Sequence, residues 1–167
     1  MGAIALAEAA QLLCKLSYNN IEDYEHYLVK RTFNELNNLS DIKFYVDEKL
    51  LGSVIPFDIK GFESKLTAEI LADYYGIGVR SGSFCVYEFL RKLKGISRQE
   101  DFKISREIDE EITVNIPRLV RASFGLSNSI EDVDRFVDAI KDMVKKGPKY
   151  YIDNYYKNEK SGEWILK

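Results

Sequence analysis

The stretch Ser53–Ile59, SVIPFDI, places Ile55, Phe57 and Ile59 at alternate positions against Pro56 and Asp58. A period of two makes a strand with one apolar face that something else must cover. Pro56 has no N–H to give a ladder, so the strand is expected at a sheet edge or at a bulge. Gly61 ends the run, and the period then changes. FESKLTAEILADYYG carries Leu66, Ile70 and Tyr74 on one helical face before Gly76 stops it. A strand and a helix so close together, each with one apolar side, must stack on one another.

The rest of the chain repeats this alternation. Residues 21–39 carry Ile21, Tyr24, Leu28, Leu36 and Leu39 at helical spacing, and DIKFYV follows as a short strand. IGVRSG predicts a very short strand and turn, with a helix from Phe84 to Leu93 after it. Residues 95–111 are polar and are expected to form a loop, and EITVNIPRLVRASFGL is expected to be extended. Ser129 with Asp132 three residues on forms a capping box. It opens a helix that keeps Val133, Phe136, Val137, Ile140 and Val144 on one face. Gly147-Pro148 closes that helix, and a Tyr-rich tail of residues 148–167 is expected to pack on the same domain. The fold class predicted is α+β: a small, mostly antiparallel sheet with helices packed on one face.

The opening MGAIALAEAAQLLCKL is apolar on nearly every side, with Glu8 and Lys15 inside the run. It lacks the basic start of a signal peptide and is too short to span a bilayer. A buried or partner-covered helix is expected, with Cys14 in the core.

A chain of 167 residues makes one ordinary domain. With 24 basic and 27 acidic side chains its net charge is −3, which supplies no basic field to draw nucleic acid. Two cysteines and a single histidine, His26, exclude a disulfide framework, a zinc pattern and metal catalysis built on imidazole. No membrane partner is expected, and the cytoplasm is the expected compartment.

Candidate chemistry gathers on GIGVRSGSFC (residues 76–85) and RASFGLSN (residues 121–128). Cys85 on a glycine turn just before a helix suits a reactive thiol, although a cysteine between Phe84 and Val86 also suits simple packing. Arg121 offers a permanently charged fork for a carboxylate, and Arg80 is placed to assist it or to make an ion pair. Gly82 is expected to serve the turn through a positive φ. Asn128 is expected to be a local turn or capping residue, His26 a surface or inter-helix histidine, and Asp47 and Glu48 solvated loop residues.

These two stretches resemble the class V aminotransferase family, and within it the cysteine desulfurase-like enzymes. The resemblance rests on Gly76-Ile77-Gly78-Val79-Arg80-Ser81-Gly82-Ser83-Phe84-Cys85, on Arg121-Ala122-Ser123 with Asn128, and on Glu131-Asp132-Val133-Asp134-Arg135. GAIALAEAA, IEDYEHYLVKRTFNEL and VIPFDIKG stand in the matching order. Many members carry His-His before the cysteine, where Ser83-Phe84 stand here.

The resemblance implies the fold and activity of pyridoxal-phosphate enzymes. It implies Cys85 as the catalytic nucleophile toward L-cysteine, leaving a persulfide and alanine, with Arg121 and Arg80 binding substrate. The family's cofactor lysine and other pyridoxal-phosphate ligands have no counterpart here. Residues 1–147 therefore resemble the C-terminal small domain, with a large pyridoxal-phosphate-binding domain as partner. On that reading the sequence is a piece of a longer enzyme, inactive alone, whose parent is expected to be a homodimer serving a sulfur-acceptor protein. Two other readings stay open. One is another class V aminotransferase or lyase activity with Cys85 structural; the other is a non-catalytic binding or assembly domain.

Overall fold

The computed structural model describes residues 2–167, so Met1 of the apolar opening lies outside it. Two helices lead, α1 (Gly2–Leu16) and α2 (Tyr18–Leu36), followed by β1 (Ile42–Phe44), a 3-10 turn (Glu48–Leu50) and β2 (Val54–Ile59). Then come α3 (Ser64–Tyr75), β3 (Arg80–Gly82), α4 (Tyr87–Leu93), α5 (Arg98–Asp109) and β4 (Leu119–Ser123). The chain ends with α6 (Ile130–Lys146), α7 (Lys149–Ile152), β5 (Tyr155–Lys157) and β6 (Trp164–Leu166). β1, β2, β4 and β3 form one antiparallel sheet in that spatial order, and β5–β6 is a separate hairpin.

Alternation along the strands decides the layering. Ile55, Phe57 and Ile59 of β2 and Val120 and Ala122 of β4 are buried on one face. Against them pack Leu28, Val29, Phe33 and Leu36 of α2, Leu66, Ile70 and Leu71 of α3, and the Val133–Met143 stripe of α6. Phe136 meets Phe57 edge-on at 6.0 Å between centroids. Each such burial is worth about 1.5–3 kcal/mol, which far exceeds what the surface ion pairs contribute. The Ser129–Asp132 capping box is present at the start of α6, and Gly76 closes α3 in the left-handed conformation at φ 67°.

Four expectations about the secondary structure need correction. Pro56 lies in a central strand, because β2 is flanked by both β1 and β4. The sheet tolerates it because β1 ends at Phe44: the Tyr45 N–H reaches the Pro56 carbonyl at 3.0 Å, and the missing return bond falls beyond the strand. Residues 98–109 form helix α5, opened by a capping box between Ser97 and Glu100. Its polarity reflects a helix that buries only Ile104. Helix α4 starts at Tyr87 because Phe84 and Cys85 take positive φ. Within 111–126 only Leu119–Ser123 is a strand; the residues on either side of it form turns and irregular backbone.

Helix α1 buries none of its residues, and Cys14 is exposed. The core expectation for Cys14 therefore fails; an apolar helix with no layer over it leaves its side chains in solvent. Ile4 and Leu6 are each 72% exposed. Among the described residues no helix is long and apolar enough to cross a membrane. The tail closes the core: Tyr151 and Tyr155 are buried in the main cluster.

Candidate functional site

The face of the sheet opposite the main core carries the candidate residues. Arg121 lies between the buried Val120 and Ala122, so its side chain emerges on the outer side. The register sets Pro56 beside it on β2 and Arg80 beside it on β3. Arg80 and Arg121 are thus direct cross-strand partners, an arrangement in which like charges repel. Among the described residues neither guanidinium makes an ion pair or donates a hydrogen bond to a carboxylate. The Arg121 Nε is buried with no partner at all.

What meets both arginines is an aromatic ring. The Phe84 centroid lies 4.6 Å from the Arg121 guanidinium carbon and 5.8 Å from that of Arg80. Phe84 reaches this position through a tight turn. The Val86 N–H donates to the Ser83 carbonyl at 3.0 Å, and the two residues between them have φ of 52° and 59°. That sign pattern is the one of a type I′ turn, normally filled by Asn or Gly. Holding Phe84 and Cys85 there costs roughly 1–2 kcal/mol per residue. Gly82 takes the expected positive φ, 156°, at the end of β3, and Phe84 and Cys85 add two further positive-φ positions after it. Cys85 is exposed, two residues ahead of α4.

The sequence reading thus brings Cys85, Arg80 and Arg121 to one rim. It missed the part played by Phe84. No local signal reveals a ring folded back over two arginines, since the turn that puts it there runs against residue preference.

The other residues singled out behave as local structure. The Asn128 side-chain oxygen accepts from the Gly125 N–H at 2.9 Å, and its carbonyl accepts from Tyr24 at 2.7 Å. Asp47 caps the 3-10 turn through the Lys49 N–H. His26 is exposed on α2, with Nδ1 3.3 Å from the Leu51 carbonyl. Among the described residues no cluster of His, Cys, Asp or Glu could hold a metal ion.

A larger cleft, 660 Å³, lies elsewhere, and neither Cys85, Arg80 nor Arg121 lines it. Three of its cations are already engaged. Lys94 pairs with Asp58 at 2.7 Å, Lys157 with Glu63 at 2.7 Å, and the Arg118 guanidinium is spread over backbone carbonyls. Asp58 also accepts from Tyr45 and Ser64, and burial first, then this carboxylate, pushes the Tyr45 hydroxyl well above its ordinary range. Lys94, Lys157 and Arg118 of this cleft are thus held by internal partners, whereas among the described residues no ion pair engages Arg80 or Arg121.

The chain is similar to known proteins over most of its length. A protein of Pyrococcus abyssi named "Probable cysteine desulfurase" is 31% identical over 146 residues, covering 86% of this chain and 31% of its own length. A cysteine desulfurase of Escherichia coli is 28% identical over 140 residues, covering 84% of this chain and 29% of its own. The chain therefore spans just under a third of the curated relatives it matches. In three dimensions the apo cysteine desulfurase of Thermococcus onnurineus superposes with a TM-score of 0.70 at 31% identity, over 87% of this chain and 31% of that one. The Escherichia coli cysteine desulfurase CsdA (S-sulfonic acid) shares the fold, with a TM-score of 0.67 at 22% identity over 86% of this chain and 30% of its own. The family model for class V aminotransferases matches residues 1–136, and the chain belongs to that family.

Proposed function

We propose that this chain is the substrate-facing part of a pyridoxal-phosphate-dependent cysteine desulfurase, in which Arg121 anchors the substrate carboxylate and Cys85 receives its sulfur. The observation that carries the reading is the rim itself: an exposed thiol next in sequence to the ring that meets two arginines, which no carboxylate among the described residues neutralises. A planar guanidinium binds a carboxylate through two parallel N–H bonds, and such an anchor fixes how the rest of an amino acid lies. Arg80, across the ladder, adds a second positive charge on the same side.

The residues present fit a carboxylate and a sulfur acceptor, not the cofactor's own attachment. Neither Gly76–Val86 nor Arg121–Asn128 contains a lysine. We assign attachment of pyridoxal phosphate to a separate large domain, with residues 1–147 acting as the small domain beside it and α1 offering an apolar surface to it. When bound, the cofactor supplies an electron sink. This chain's residues do the rest. Arg121 holds the L-cysteine carboxylate and Cys85 attacks the substrate sulfur as a thiolate. The new S–S bond forms as the substrate Cβ–S bond breaks; its electron pair stays with the carbon skeleton, which takes up a proton and leaves as alanine. The persulfide on Cys85 then awaits a thiol of an acceptor protein. A cytoplasmic, homodimeric parent is part of the same proposal.

The test is alanine formation from L-cysteine by the holoenzyme carrying this sequence, with Cys85→Ala and Arg121→Ala compared. Both variants should lose the reaction. If Cys85→Ala stays active while Arg121→Ala does not, the rim serves another class V aminotransferase or lyase activity and Cys85 is a packing residue.

A further inference from the structure

The Phe84 ring occupies the side of Arg121 and Arg80 on which an anion would be attracted by both charges. An aromatic face is electron-rich and draws cations, but it offers no lone pair to an N–H. The ring therefore softens the repulsion between two directly opposed arginines and still leaves the Arg121 Nε buried and unpaired. A carboxylate would do better on both counts, because it neutralises the charge and accepts the hydrogen bonds. The ring is also held by a strained backbone. Phe84 and Cys85 are consecutive L residues in the left-handed region, closed by one N–H bond from Val86 to Ser83. Phe84 is only half-buried and stands outside the main core cluster, so it can leave without unpacking the fold.

We propose that Phe84 is a displaceable cap on a two-arginine carboxylate seat, and that its displacement moves the adjoining Cys85. The proposal rests on the reading of Arg121 as a carboxylate anchor and adds the device that controls access to it. In the capped state the ring keeps small anions off the guanidiniums. A ligand whose carboxylate engages Arg121 in two bonds lifts the ring. Because Cys85 is the next residue in the same turn, occupancy of the seat and position of the thiol are coupled. The seat takes a small carboxylate, of which a free amino acid is the fitting class.

Alkylation of Cys85 by iodoacetate and by iodoacetamide tests this without cofactor or turnover. The two reagents differ in the negative charge, so the ratio of their rates reports how far the guanidiniums are open to a carboxylate beside the thiol. Changes in thiol exposure or reactivity that affect both reagents cancel. The chain is used with Cys14→Ser, since Cys14 is exposed as well. Replacing the ring by Phe84→Leu should raise the iodoacetate-to-iodoacetamide ratio roughly two- to fivefold, the factor that loss of a partly exposed cation–π contact implies. Phe84→Tyr keeps the ring and should keep the ratio of the parent. Arg121→Gln added to Phe84→Leu should abolish the rise. An unchanged or lower ratio in Phe84→Leu would overturn the cap, and a rise that survives Arg121→Gln would overturn the seat. If the ratios behave as stated but the holoenzyme forms no alanine, the desulfurase reading falls and the capped seat stands.

Discussion

Tyr151 tests whether the Tyr-rich tail is part of the fold, since residues 148–167 lie beyond the stretch matched by the family. Its side chain is fully buried, with ring centroids of Phe62, Tyr74 and Tyr150 at 6.2, 5.1 and 4.9 Å. Its hydroxyl is 2.6 Å from that of Tyr75, which in turn donates to Asp142 at 2.7 Å. Tyr151→Ala removes a whole buried ring and should cost about 3–5 kcal/mol. Tyr151→Phe removes one hydroxyl while Tyr75 keeps its carboxylate partner, so it should cost only about 0.5–1.5 kcal/mol. Urea unfolding followed by circular dichroism reads both. At about 1–3 kcal/mol per molar of urea, the alanine variant should lose roughly 1–3 M of midpoint. Trp164 lies in β6, so its fluorescence should change in the same transition if tail and core unfold together. A Tyr151→Ala midpoint no lower than that of Tyr151→Phe, or a Trp164 transition well ahead of the dichroism, would refute this reasoning.

Three further outcomes are expected. Lys94→Met leaves Asp58 without its cation, with both side chains about four-fifths buried, and should cost about 1–3 kcal/mol by thermal unfolding; no change would mean water screens the pair. The Lys146 ammonium first, and then the Tyr75 hydroxyl, hold the Asp142 carboxyl below its usual range. Its contribution is therefore present above the ordinary carboxylate value near ~4 and is lost as pH falls through the lowered one, so the stability gap between wild type and Asp142→Asn should close toward acid. A thiol titration of the native chain should count both Cys14 and Cys85 without denaturant, and a count of one would restore Cys14 to the core.

Elements whose cause is local were legible in the sequence. The α6 capping box, the Gly76 stop and the two-residue period of β2 each depend on neighbours in the chain, and each stands where the pattern puts it. Features set by tertiary neighbours were not. Pro56 indicates an edge by its chemistry, yet it sits centrally because an adjoining strand happens to end beside it. Helix α5 is nearly all polar because it presents a single side chain to the interior, which hides the helical period. For the site, the motif order brought Arg80, Arg121 and Cys85 to one rim. Their cross-strand pairing, and the ring that covers the two arginines, follow from a strand register and a strained turn that no spacing rule encodes.

The most direct test of the central claim is to follow where sulfur goes. The holoenzyme carrying this sequence is given L-cysteine without an acceptor thiol, then alkylated, digested and examined by mass spectrometry. The account predicts one added sulfur atom on the peptide containing Cys85, none on that containing Cys14, and no added sulfur in Arg121→Ala. Alanine formed with no sulfur on Cys85, or sulfur carried by another residue, would contradict it.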